Sequence, residues 1–170
     1  MRAFALLLLV LPLGVNAVEH ELVGKTMPPY PEGLREVGGI CLADSNNSGA
    51  VCDYSIGLLA DTSNDPDAAA VMRYVVAGRI EGRDGTIALW KITDALPYPA
   101  VARDYYWQAG SCRVDQVEDS KIIAVLRHDL EQEYSGDVAW ARRLDLGSGK
   151  FVKVDPKRVD CINEGYGLGP

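Results

Sequence analysis

Four cysteines, Cys41, Cys52, Cys112 and Cys161, constrain the fold more than any other feature of this chain. Two of them bracket the densest polar turn in the sequence, within ICLADSNNSGAVCDYS at residues 40–55. Their spacing argues against metal. There is no C-x-x-C, and only two histidines exist to complete a ligand set, so no zinc site is predicted. An even set of cysteines outside such spacing points to disulfides, provided the compartment is oxidising.

The first residues address the compartment. In MRAFALLLLVLPLGVNAVEH, Arg2 is a positive start, Phe4 to Leu13 is a short apolar run, and Val15-Asn16-Ala17 is a small-residue cleavage site. That is the pattern of a cleaved secretory signal peptide over 1–17. The run is shorter than the roughly 20 residues a bilayer demands, and no later segment approaches that length. The expectation is an exported protein, periplasmic or secreted, with no membrane insertion after cleavage. Residues 18–170 then form one domain, large enough for its own core.

An internal likeness runs through the mature chain. PYPEGLREVGGICLAD (29–44) and PYPAVARDYYWQAGSCRVD (97–115) both open on PYP, place Arg before an acid, and close on G-x-C-x-x-D. Farther on, Val75 precedes Trp90 by the same spacing that separates Val125 from Trp140. The shared order of weak landmarks points to a duplication, 29–96 and 97–154. The first copy carries an insertion that holds Cys52 and LLADTSNDPDA; the second carries Tyr105-Tyr106-Trp107. The preferred pairing is Cys41–Cys52 and Cys112–Cys161, because each repeat cysteine then finds a partner later in its own half. The two other pairings stay open at this point. In the loop-entropy account the preferred bonds contribute about 2.8 and about 4.1 kcal/mol.

Most segments read as strands. Val71 to Ile80 is rich in Val, Tyr and Ile, and Thr86 to Thr93 alternates, with Ala88, Trp90 and Ile92 on one face. Gly82-Arg83-Asp84-Gly85 between them suits a tight hairpin turn. Ile122 to Arg127 is a compact apolar strand. Val138, Trp140 and Leu144 share a parity in the next, and a turn at 146–150 leads to Phe151 to Val154. Tyr105 to Val114 and Val159 to Ile162 add strands. The best helix candidate after the leader is Asp65 to Met72, one or two turns long. These signals predict a mainly β fold: a single antiparallel β domain, sandwich or small barrel, built from two related hairpin units. Residues 163–170, rich in glycine, read as a flexible tail.

Catalytic patterns are scarce. His20 sits by the new N-terminus and His128 at a strand end among acids. G-x-S-x-G, S-x-x-K and a glycine-rich phosphate loop are absent from the sequence. Oxidised cysteines are not nucleophiles. Carboxylates at Glu131, Glu133 and Asp137, and at Asp61, Asp65 and Asp67, leave room for a two-carboxylate hydrolase. Asp44, Asn46 and Ser48 match the first half of an EF-hand loop, but position 12 is Ser55. A clamped polar turn is the better reading there, with weak calcium binding as the alternative. No cofactor is predicted.

The charge favours binding to a basic partner. The chain has 17 Lys+Arg against 24 Asp+Glu, net −7, and loss of Arg2 with the leader makes it more acidic still. Such a surface repels nucleic acid and attracts basic proteins. Trp and Tyr are enriched at binding hot spots, so Tyr98, Asp104, Tyr105, Tyr106 and Trp107 are the predicted contact residues. Trp90 and Trp140 are read as core. In type, the chain is similar to small acidic, disulfide-bonded envelope proteins that inhibit cell-wall hydrolases or neutralise delivered toxins. That likeness implies an exported, non-enzymatic binding protein, an inhibitor or immunity protein. The alternatives are a small carboxylate-based hydrolase and a structural envelope component.

Overall fold

The computed structural model of the chain describes residues 21–43, 52–62, 69–129 and 131–166. It is mainly β, with three antiparallel sheets. Sheet I holds β1 (Thr26–Met27), β2 (Leu34–Leu42), β3 (Tyr54–Asp61), β4 (Met72–Asp84) and β5 (Ile87–Pro97), in the order β1-β5-β4-β3-β2. Sheet II holds β6 (Tyr106–Ala109), β9 (Ile122–Arg127), β11 (Asp137–Asp145) and β12 (Lys150–Lys153), in the order β12-β11-β9-β6. Sheet III holds β7 (Cys112–Val114), β8 (Val117–Glu118), β10 (Tyr134–Ser135) and β13 (Val159–Ile162), in the order β10-β13-β7-β8. Among the described residues the helical pieces are short, such as the 3₁₀ turn Pro156–Arg158. No helix among them is long and apolar enough to cross a membrane.

The layers follow from which side chains can be buried. β9 reads IIAVLR, and Ile122 to Leu126 have no exposure on either face. Such a strand must lie between two layers. Ile123 faces sheet I, in a core with Leu144, Ile56, Leu58, Val75 and Ala77. Ile122, Ala124 and Leu126 face sheet III, packing with Cys112, Val159 and Cys161. A third cluster lies on the outer face of sheet I, where Leu22 and Met27 cover Leu59, Val76, Ile92 and Ala95. Sheets I and II make the expected sandwich, and sheet III adds a layer that the strand pattern did not announce.

Turn chemistry sets the hairpins. Asp84 pairs with Ile87, so Gly85-Thr86 is the two-residue loop, and Gly85 takes a φ of 59°. A positive φ at the first loop position alone is the sign pattern of a II′ turn. Val114 pairs with Val117 around Asp115 and Gln116, both at positive φ, as a I′ turn requires. Asp145 closes the β11–β12 turn by accepting from the backbone N–H of Ser148 at 3.1 Å.

Two sequence expectations need correction. The stretch 105–114 is not one strand: Gly110-Ser111 carries the chain from β6 in sheet II to β7 in sheet III. Gly110 has a φ of 83°, which permits the switch. Val138 does not share a face with Trp140 and Leu144. A bulge between Val138 and Trp140 shifts the register, so Val138 packs toward sheet III and Trp140 toward sheet I. One inserted residue inverts the side-chain alternation. The landmarks of the sequence likeness also differ in register: Trp140 lies opposite Val125, but Val75 lies opposite Leu96. Met72 opens β4, and residues 63–68 of the helix candidate and its flank lie outside the described residues.

Both preferred cysteine pairs are in disulfide contact. Cys41–Cys52 ties the end of β2 to the approach to β3, and Cys112–Cys161 joins directly opposed residues of β7 and β13. Sheets II and III are further linked through Asp119. Its carboxylate accepts from Arg143 Nε at 2.6 Å and from Lys121 N at 3.0 Å. Burial alone would raise its pKa, but Arg143 and Lys121 together outweigh burial and hold it below the usual carboxylate range. A carboxyl with a lower pKa folded than unfolded stabilises the fold above its unfolded value of about 4. That stabilisation drains away as pH falls through the folded value. Asp119→Asn is therefore expected to flatten the acid limb of a stability-versus-pH curve below about pH 4, read by urea unfolding. An unchanged limb would mean that Asp119 is not linked to the transition.

Candidate functional site

The sandwich is closed on one side and open on the other. On the closed side β5 meets β12: Thr93 Oγ1 donates to the Gly149 carbonyl at 2.7 Å, and the Phe151 N–H donates to Asp94 at 2.8 Å. On the open side lie β2 and β6, edge strands of sheets I and II among the described residues. Between them is a cleft of about 430 Å3. Ile40 from β2 and Trp107, Gln108 and Ala109 from β6 form its walls. Ser111, His128, Asn163, Glu164 and Gly165 complete it.

Trp107 is positioned by a glycine. Its indole lies over Gly38 of β2, where a Cβ would stand 2.6 Å from Cζ2. The indole therefore occupies space that any larger residue at 38 would claim, and it packs on the core between sheets I and II. Gly38→Val is expected to push the indole out of this seat and cost about 1–3 kcal/mol. A red shift of tryptophan emission, absent in Gly82→Val where a Cβ meets nothing within 4 Å, would register the displacement. Identical spectra would show that Trp107 is seated elsewhere.

The far wall is fixed by Gln108 and Asn163. Gln108 Nε2 donates to Ser111 Oγ and to the Ile162 carbonyl, each at 2.8 Å. Asn163, only 5% exposed, donates through Nδ2 to the Asp129 and Gln132 carbonyls and accepts from the Gly165 N–H. Of the residues expected to form a flexible tail, 163–166 make a turn that this amide anchors, and 167–170 lie outside the described residues. Two buried polar atoms in the lining, Gln108 Oε1 and His128 Nδ1, have no hydrogen-bond partner among the described residues. Tyr106, 57% exposed, stacks on His128 at 6.4 Å.

The five predicted contact residues do not converge. Trp107 lines the cleft and Tyr106 flanks it through His128. Asp104 and Tyr105 belong to a surface cluster around Arg127, which pairs with Asp104 at 3.2 Å and Asp137 at 2.5 Å. Tyr105 donates to Asp137 at 2.8 Å. That hydrogen bond, then Arg127, holds the Asp137 carboxyl below its usual range. Much of the connector's negative charge is therefore neutralised locally. Tyr98 directly follows β5, half-buried against the sheet I–II core, and burial pushes its hydroxyl pKa up. Trp90 and Trp140 are half-buried at the margins of two different cores, with the Arg142 guanidinium 4.7 Å from the Trp140 ring.

Of the carboxylates considered for hydrolysis, Asp61 pairs with Arg73 at 3.1 Å and Asp137 with Arg127, while Asp65 and Asp67 lie outside the described residues. Asp44, Asn46 and Ser48 also lie outside them. Among the described residues no group of His, Cys, Asp and Glu is placed to hold a metal ion.

The architecture and site define a three-layered antiparallel β domain with one open seam. Compared with protein-family models, curated proteins and solved structures, the chain matches none.

Proposed function

We propose that the chain is an exported, non-enzymatic binding protein of the cell envelope, an inhibitor or immunity protein against a basic enzyme such as a cell-wall hydrolase. We further propose that it meets that enzyme at the β2/β6 seam. The observation that carries this reading is the cleft itself, where an indole and an amide wall stand beside an acidic rim. Trp107 is half-buried within it, Tyr106 projects at its edge, and Glu164 on the rim is exposed and makes no ion pair among the described residues. The acid excess of the whole chain adds long-range attraction for a basic surface. The disulfides are compatible with an oxidising compartment. A carboxylate hydrolase needs two acids in one cleft, and Glu164 is the one acid among the described residues that line this cleft.

The test is affinity capture on immobilised, oxidised residues 18–170 from envelope and secreted extracts. One basic enzyme retained at low salt, released as salt screens the attraction, and inhibited by the free domain is the expected result. Retention of nothing basic, or retention without inhibition, would contradict the reading.

A further inference from the structure

We propose that the β2/β6 cleft is a receptor for a single cationic, N–H-donating side chain, the ammonium of a lysine or the guanidinium of an arginine. This rests on the reading of the seam as the partner contact and names what the partner inserts there.

The hydrogen bonds of Gln108 fix the orientation of its amide. Nitrogen and oxygen of a glutamine amide are assigned from their hydrogen bonds. Here the choice is forced, because the Ile162 carbonyl can only accept, so the atom 2.8 Å from it must be the N–H₂ group. The other atom, Oε1, is therefore an acceptor, and it is buried without a donor. An unsatisfied buried acceptor is destabilising, and such orphans in native folds call for an explanation. His128 Nδ1 is a second orphan in the same lining, and it accepts in the tautomer that carries the proton on Nε2. Both side chains end on broad sp³–sp² torsions, and reaching a ligand in the cleft requires rotation about them.

The remaining lining has the same polarity. Trp107 places an indole in the lining, and an indole face attracts ammonium and guanidinium groups. Glu164 adds a carboxylate at the mouth. No lysine or arginine among the described residues lines the cleft. An anion would meet the Glu164 carboxylate and the orphan amide oxygen, with no lysine or arginine to offset them. A neutral alkyl chain would leave both orphans unsatisfied. A lysine ammonium brings three donors and an arginine five, on an alkyl stem that Ile40 and Ala109 can cover. At about 430 Å3 the cleft holds one such side chain with room for its backbone at the rim.

The experiment titrates the blocked amino acids N-acetyl-lysine N-methylamide and N-acetyl-arginine N-methylamide into ¹⁵N-labelled residues 18–170. N-acetyl-norleucine N-methylamide is the neutral control. Saturable shifts of the Gln108 side-chain amide and the Trp107 indole N–H are expected with at least one cationic probe, at least about tenfold tighter than with norleucine. Glu164→Gln, at an exposed position, is expected to weaken the cationic probe about three- to tenfold and leave norleucine unchanged. Equal binding of the neutral probe, or no shifts at these two side chains, would overturn the inference. Cation binding without inhibition of any basic hydrolase would sustain the cleft chemistry and sink the inhibitor reading. Inhibition that survives both Glu164→Gln and excess cationic probe would do the reverse.

Discussion

Removing the Cys112–Cys161 bond by paired alanine substitution is expected to lower the unfolding free energy by about 4 kcal/mol, against about 2.8 kcal/mol for Cys41–Cys52. The difference starts with chain entropy. The two bonds span separations of 49 and 11 residues, and the longer loop gives the unfolded chain more freedom to regain. Packing acts in the same direction. Cys112 and Cys161 are 1% and 0% exposed, inside the core that joins sheets II and III. Sheet III is built from strands of two to four residues, so it has little cohesion apart from that core. Urea unfolding of the oxidised single-pair variants reads both values. A loss no larger than that from the Cys41–Cys52 pair would mean that sheet III holds to β9 without its staple.

The second large effect lies in β9. Ile122→Ala and Ile123→Ala are each expected to cost about 2–5 kcal/mol, through lost transfer energy and the cavity left behind. They act on opposite sides of one strand: Ile122 fills the core toward sheet III, and Ile123 the core toward sheet I. Ile87→Ala is the control, since Ile87 is 53% exposed at a hairpin end, and surface changes stay within about 0.5 kcal/mol. Should Ile122→Ala cost no more than Ile87→Ala, sheet III would not be packed on β9.

The strand content was legible because β-branched and aromatic residues cluster between glycine, proline and polar turns, as at 71–97 and 122–127. The preferred disulfides were legible from their spacing and order. The layer order was not. IIAVLR is apolar at every position but the last, and a strand buried on both faces looks the same as a short buried helix until its neighbours are known. The bulge before Trp140 leaves no mark in a sequence where Ala139 looks like any other strand residue, yet it turns Val138 to the other face. The Gly110-Ser111 switch was hidden within a run that alternates plausibly on both sides.

The site was legible in part. Trp107 and Tyr106 stood out as aromatics in a connector. Nothing local marked Ile40, Gln108, His128 or Glu164, because the cleft is assembled from four distant stretches and only the meeting of two sheet edges gathers them. The one usable signal was the pair Gly38-Gly39 inside a strand-like segment, which marks close approach by another group. That group is the Trp107 indole. Charge misled in the opposite way: Asp104 reads as free acid beside the aromatics, but Arg127, far along the chain, pairs with it.

The most direct measurement of the central claim is a titration of purified basic cell-wall hydrolases with oxidised residues 18–170, at low and moderate salt, for the native domain and for Tyr106→Ala. The expected result is one hydrolase whose activity falls to zero at one equivalent, with weaker inhibition as salt rises and a loss of at least about tenfold in affinity for the variant. Full turnover by every basic hydrolase at a large excess of the domain would contradict it.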